Sequence, residues 1–401
     1  MPRRFRTLHL LLALTALILL GSFGPQRAGA QESAEALVAR IEAPQSPNRQ
    51  GFDPLTLTEL MTRFNVPGVS IAVIKDFEIH WAKAYGVADV KTKAPVDAHT
   101  LFQAASISKP VNAMAVLKAV QDGKVSLDVD INTILKSWKV PSSEHTRKQP
   151  VTLRALLSHT SGSGDGFGFP GYHPSARRPS VAEILNGDPP SNVGPVLFER
   201  PPFTYFKYSG GGITIVQLAL TELLGKPYPE IMQASVLGPV GMRDSTFEQP
   251  LSPERDRNAT RAHDGEGRAM DAKWHVYPEL AAAGLWTTAT DLAQFAIELQ
   301  RALQGDENRV LSRAVARQMV TPVGVGPFAV GFNIEKRGEG WYFSHGGGNW
   351  GFRCQLIAHA VKGYGVAIMT NSDSGGALLG ELEARVAAAY NWDSLDKPVP
   401  R

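Results

Sequence analysis

The chain has 401 residues, 43% of them hydrophobic and 20% charged, which gives apolar mass for a substantial core and excludes general disorder. Its single cysteine, Cys354, excludes a disulfide framework, a Cys-rich zinc or iron–sulfur site and a CxxC redox centre. Arg3, Arg4, Arg6 and Arg27 lie in residues 1–30; without them the formal charge of +3 becomes about −1, and no clustered basic surface is left for nucleic acid.

Residues 1–30 read as a signal peptide. Three arginines precede an apolar run, Leu8 to Gly21, broken only by His9 and Thr15, and Ala28-Gly29-Ala30 supplies a small-residue cleavage pattern before Gln31. The run falls short of the ~20 residues that span a bilayer, against an uncleaved anchor. No cysteine stands near the cleavage point for lipid attachment. The expectation is an exported bacterial protein, periplasmic or secreted, cleaved near Ala30 and without a membrane anchor afterwards. Residues 31–54 follow as a polar, loosely structured lead-in.

A short helix is expected over Leu55–Phe64. Val69–Ile74 is β-branched and apolar on both faces and reads as a buried strand, with Lys75-Asp76 as a turn signal and Ile79–Tyr85 as the return strand of a hairpin. Beyond Leu101 the period changes: Ala113, Val116, Leu117 and Val120 form the apolar face of an amphipathic helix that ends near Asp122-Gly123. Further helical patterns lie at Leu153–Ser158, Val181–Leu185, Ile213–Leu224 and Pro229–Val236. Residues 159–203, rich in Gly, Pro and Ser, read as a long surface excursion of the kind that forms functional walls. Thr288 and Asp291 make a capping-box-like start to a helix over Thr290–Leu303. Strands return at Trp341–Ser344, Phe352–Ala358 and Tyr364–Thr370, and a helix over Leu378–Tyr390 closes the pattern.

Strands near both ends and helices between them predict an α/β (α+β) fold. A mixed antiparallel sheet built from residues 55–98 and 272–395 is flanked by helices, a mostly helical domain over 99–271 is inserted, and 396–401 is a tail.

The first chemical motif is Ser106-Ile107-Ser108-Lys109, at the start of the helix that runs to Asp122. Residues i and i+3 share a helix face, so the Lys109 amine can lie beside the Ser106 hydroxyl and act as its base. The helix N-terminus adds partial positive charge where an oxyanion forms. By itself the motif is weak. A serine here is also an ordinary helix N-cap, and about one S-x-x-K arises by chance in a chain this long; a second is Ser394-Leu395-Asp396-Lys397.

The segment Thr100-Leu101-Phe102-Gln103-Ala104-Ala105-Ser106-Ile107-Ser108-Lys109-Pro110 resembles the active-site segment of the serine β-lactamase and penicillin-binding protein superfamily. Within it the chain is most similar to the class C β-lactamases and their esterase (family VIII carboxylesterase) and D-aminopeptidase relatives. The likeness continues through Gly123–Asp128, Thr152–Gly162 with its Ser158-His159-Thr160-Ser161-Gly162 run, Pro239–Met242 and Ala283–Leu292. The resemblance implies Ser106 as nucleophile and Tyr208 in Tyr208-Ser209-Gly210 as the tyrosine of the Tyr-x-Asn motif, with Tyr208 and Lys109 sharing the Ser106 proton. A phenol of pKa ~10 needs help to act as a base, and a nearby Lys109 ammonium would lower that value. Gly210 departs from the motif's asparagine, which tilts the expected substrate from β-lactams toward esters. Ser344-His345-Gly346-Gly347-Gly348 matches the His-x-Gly form of the third motif. There His345 faces the site, Gly346 and Gly347 let substrate approach the strand edge, and the amides of Ser106 and Gly348 form an oxyanion hole.

Other matches fail on context. Gly166-x-Gly168-x-x-Gly171 and Gly346-x-Gly348-x-x-Gly351 spell a dinucleotide fingerprint, but neither follows a strand and opens a helix. His345-Gly346-Gly347-Gly348 copies an α/β-hydrolase oxyanion motif, yet the chain has no G-x-S-x-G elbow. Ser372-Asp373-Ser374 is similar to the S-D-N of class A β-lactamases but follows the third motif. No His-Glu-x-x-His occurs, and the reading assigns no metal and no cofactor. Two function classes remain: a serine hydrolase acting through an acyl-enzyme on a small ester, amide or peptide-like substrate, with esterase ahead of D-amino-acid peptidase and β-lactamase, or a non-hydrolytic binding protein on the same fold. The loop Asp165–Tyr172 and the stretch Pro201–Phe203 are the expected walls of the site.

Overall fold

The computed structural model describes residues 1, 32–45, 52, 54–165, 168–306, 309–338 and 340–393. These fall into two units, Met1–Ser33 and Ala34–Arg401, and every element named here belongs to the second. The signal-peptide residues 2–31, Gly166 of the first glycine fingerprint, the Ser394–Lys397 motif and the tail lie outside the described residues.

The expected hairpin is present as β1 (Gly68–Lys75) and β2 (Glu78–Gly86). Its tight turn takes Asp76 and Phe77 through positive φ, the twist that suits a two-residue connection. Two-residue strands β3 (Phe102–Gln103) and β4 (Trp286–Thr287) pair with each other. The C-terminal region supplies β5 (Asn333–Arg337), β6 (Gly340–Asn349), β7 (Phe352–His359) and β8 (Gly365–Thr370). One antiparallel sheet runs β2-β1-β8-β7-β6-β5, so a strand from near the start lies against one from near the end. β1 and β8 sit inside the sheet and are buried on both faces, which is why they read as unbroken apolar runs.

The longer helices are α1 (Ala34–Glu42), α2 (Leu57–Arg63), α3 (Ser108–Gln121), α4 (Gly210–Leu224), α5 (Ala289–Gln304) and α6 (Gly375–Ala389). Leu37, Ile41, Leu60, Leu382 and Val386 of α1, α2 and α6 share one apolar cluster with Ile71 and Ile368 of the sheet. The α5 side belongs to a second, larger cluster that includes Ala72, Met369 and most of α3 and α4. The domain limits drawn at 98/99 and 271/272 fall between regular elements.

Several expectations need correction. Part of the lead-in is ordered: Ala34–Glu42 forms α1, and the fully buried Arg385 ties down the described residues that follow it. The Arg385 guanidinium donates to Glu381 at 2.9 Å and to the carbonyls of Ile41, Ala43, Phe52 and Leu55 at 2.8–3.3 Å. α3 is not amphipathic: only Gln121 is exposed and Lys118 and Val120 are half-buried, because packing surrounds the helix instead of covering one face. The 159–203 segment does not begin on the surface, since Ser158–Ser161 and Ser163 are buried. Thr288 caps α5 by accepting from the Asp291 amide at 3.1 Å, but the Asp291 carboxylate turns away to the Asp244 amide and the Ser245 hydroxyl. Finally, β6 runs through Asn349, so His345 stands inside a strand and not at its end.

Candidate active site

Ser106 occupies a single 3-10 turn, Ala105–Ile107, immediately before α3 and not its first turn. Ala105 enters that turn at φ +48, a conformation that costs a non-glycine residue about 1–3 kcal/mol and needs outside support. Ser108 gives part of it, donating to the Ala105 carbonyl at 2.6 Å and accepting from the Leu285 amide at 3.0 Å. The rest comes from β6. A Cβ added at Gly347 would lie 2.3 Å from the Ala104 carbonyl oxygen and 2.4 Å from Cys354 Sγ. Only glycine lets β6 press this closely on the nucleophile turn; Gly346 and Gly348 have more room.

The Lys109 ammonium donates to Ser106 Oγ and to the Ala282 carbonyl, each at 2.8 Å. The side chain is buried, and loss of hydration lowers its pKa to about 7, with Asp165 pulling weakly the other way. Lys109 Nζ stands 5.0 Å from the centre of the Tyr208 ring. Burial raises the Tyr208 pKa above the ordinary phenol value, and the nearby Ser106 hydroxyl offsets this only in part. This corrects the expected lowering by Lys109. The same desolvation that lowers the lysine's pKa keeps the proton on the tyrosine.

His345 donates from Nδ1 to the Gly346 carbonyl at 2.6 Å, which leaves a lone pair on Nε2. That buried nitrogen has no partner among the described residues. Burial, followed by the Lys109 charge, lowers the pKa of the ring to about 3, so it is neutral. Ser106, Tyr208, His345 and Gly346–Gly348 line one cavity of about 350 Å³, with Phe328, Asn333 and Ser344 completing it. Lys109 sits behind Ser106. The expected residues are therefore gathered at one place.

The walls differ from expectation. Phe328, Asn333 and Ser344 line the cavity, and, among the described residues, 165, 168–172 and 201–203 do not. Asp165 instead serves the start of α4, accepting from Ser209 Oγ and the Gly211 amide at 2.7 Å each. Gly210, in the place of the motif's asparagine, is the first residue of that helix.

His159 was not among the expected site residues. It is buried at φ +58, its ring centre is 4.3 Å from that of Tyr208 with the planes 32° apart, and it meets Phe328 edge-on at 4.9 Å. Its place in the Ser-His-Thr-Ser-Gly run was its one signal in the sequence. Among the described residues no three or more His, Cys, Asp or Glu side chains gather as metal ligands.

A sequence profile of the family described as "Beta-lactamase" matches residues 55–391. The chain belongs to the beta-lactamase family. Esterase EstB of Burkholderia gladioli is 28% identical over 311 residues, 69% of this chain and 74% of EstB. Penicillin-binding protein 4 of Amycolatopsis lactamdurans is 28% identical over 327 residues, 78% of this chain and 82% of that protein. Two solved structures share the fold. The octameric penicillin-binding protein homologue of Pyrococcus abyssi has a TM-score of 0.68 at 23% identity, covering 86% of this chain and 78% of that one. The D-amino acid amidase of Ochrobactrum anthropi SV3 has a TM-score of 0.65 at 22% identity, covering 84% and 98%. The antiparallel sheet with its flanking helices is thus the fold of the beta-lactamase family.

Proposed function

We propose that this protein is an exported serine hydrolase that acts on small esters through an acyl-enzyme, with amides and D-amino-acid peptides as the second substrate class and β-lactams as the third. The observation that carries the reading is the 2.8 Å contact of a buried lysine, its pKa lowered to about 7, with the Ser106 hydroxyl.

Near neutral pH a large share of Lys109 is the free amine. Its lone pair takes the Ser106 proton as Oγ attacks the carbonyl carbon, and the carbonyl electrons move to oxygen. The amides of Ser106 and Gly348 hold that oxyanion, each donor contributing ~2.7–4 kcal/mol at the transition state. Tyr208, still protonated, passes its proton to the leaving oxygen and is restored from Lys109. The same pair then deprotonates water for deacylation. Neutral His345 offers Nε2 as an acceptor to substrate or water beside this path.

Gly210 motivates the substrate order. An amide or lactam substrate loses the side-chain partner that asparagine would offer its acyl portion, and one unmade hydrogen bond costs about 1–3 kcal/mol. p-Nitrophenyl butyrate is therefore expected to turn over with kcat/KM about 10- to 100-fold above that of nitrocefin. Fast nitrocefin hydrolysis would reverse the order. A fluorogenic phosphonate separates hydrolase from binding protein: label on Ser106 supports the first, and an unlabelled protein the second. For the export step the expected result is a mature N-terminus at Gln31 in a bacterial host, read by peptide mass mapping; an intact Met1 would sink it.

A further inference from the structure

We propose that His159 is the positioning residue that fixes Tyr208 against Ser106, an inference that rests on Tyr208 being the proton carrier. Residues 201–209 are neither helix nor strand, so no ladder of backbone bonds holds Tyr208 in place. His159 holds the residues on either side of it. The Lys207 amide donates to the His159 carbonyl at 2.9 Å, and the Ser209 amide donates to His159 Nδ1 at 3.1 Å. The imidazole lies against the Tyr208 ring between those two bonds, backed edge-on by Phe328. Three dimensions of the tyrosine are thereby set by one residue: chain position on both sides and ring plane in the middle.

The left-handed backbone at His159 is what lets one residue offer carbonyl and side chain to the same strand of chain. That conformation is braced by its neighbours, the His159 amide donating to the Leu156 carbonyl at 3.2 Å and the Thr160 amide to the Ala155 carbonyl at 2.8 Å.

The chemistry of the ring supports the assignment. Because Nδ1 accepts, the neutral ring carries its proton on Nε2, and that buried N–H has no partner among the described residues. A phenylalanine would fill the same space without that unpaired N–H, but it would leave the buried Ser209 amide without its acceptor. The accepting nitrogen is what the position uses. Protonation would turn that acceptor into a donor facing the Ser209 amide, and burial, with Lys109 and His345 nearby, keeps the ring's pKa well below the usual value.

Three substitutions test the clamp. His159→Asn places an amide oxygen close to where Nδ1 stands and tolerates positive φ. His159→Gln moves that oxygen one carbon too far, and His159→Phe keeps the stacked ring without an acceptor. The Asn variant is expected to retain kcat for p-nitrophenyl butyrate within about tenfold of the wild type, while Gln and Phe lose about 10²-fold in kcat with little change in KM, as for a reacting group displaced by about 1 Å. Crystal structures of the Asn and Phe variants read the same point without activity: Tyr208 keeps its place beside Ser106 in the first and is displaced in the second. Tyr208 unmoved in the Phe variant, or an Asn variant as impaired as Gln, overturns the proposal. Since Asn and Gln differ by one methylene, a loss shared by both marks a role in folding and not in placement. A wild type inert to esters and to the phosphonate refutes the hydrolase reading instead, and the two crystal structures still decide the clamp.

Discussion

Ser106→Ala is expected to lower turnover of p-nitrophenyl butyrate by about 10⁴- to 10⁶-fold, the range seen when an acyl-enzyme nucleophile is removed. Intact-mass analysis should show a transient butyryl adduct on the wild type and none on the variant. The neighbouring hydroxyl cannot stand in, because Ser108 is buried and engaged with the Ala105 carbonyl and the Leu285 amide. Residual activity above about 1% of wild type, or an adduct that survives the substitution, would place the nucleophile elsewhere and end the mechanism as drawn.

Lys109→Met should have the second large effect, and it has two independent readings. The first is catalytic: without its base the enzyme is expected to lose about 10²- to 10⁴-fold in kcat/KM. In the wild type kcat/KM should rise with pH through about 7 as the ammonium loses its proton. The second is thermodynamic. The folded-state pKa is about 7 and the ordinary value 10.5. Between those values the unfolded chain binds a proton that the folded chain does not, so stability contributed at this residue rises with pH across the window and is flat outside it. Below about 7 the folded protein carries the whole penalty of a buried ammonium. The Met variant has no such slope, so the wild type should gain on it, by a few kcal/mol in order of magnitude, as urea unfolding is repeated from pH 7 to 10. Glu279, a buried carboxyl pushed up to about 8, titrates in both proteins and cancels in the difference. Parallel stability curves for the two proteins would mean that Lys109 is an ordinary charged lysine.

The parts of the fold that were legible in the sequence are those whose burial is written locally. β1 and β8 announce themselves because both of their faces are covered, and the hairpin turn and the α5 cap are short-range chemistry. β5 was missed: Asn-Ile-Glu-Lys-Arg has one apolar residue, as an edge strand permits, and only pairing with β6 makes it a strand. With it went the cavity wall, because Asn333 belongs to β5 and Phe328 precedes it. The site residues Ser106, Lys109, Tyr208 and His345 were found through motif order and not through any physical period. The electrostatics were out of reach. The carbonyl that holds Lys109 is 173 residues away in sequence, and nothing in Ser-x-x-Lys reveals that the amine is buried. His159 is hidden for the same reason, its Ser209 partner lying 50 residues along the chain.

The position of β1 between β2 and β8 bears on when activity arrives during biosynthesis. Ribosomes make the hairpin, the serine, the lysine and the tyrosine early, but the central gap of the sheet stays open until residues 365–370 have emerged. β6, which carries His345 and presses Gly347 onto the nucleophile turn, cannot be locked to the hairpin before β7 and β8 bridge them. A nascent chain thus lacks the closed sheet, and with it the finished cavity, until β8 has been made. The closed cavity becomes the last feature the fold acquires.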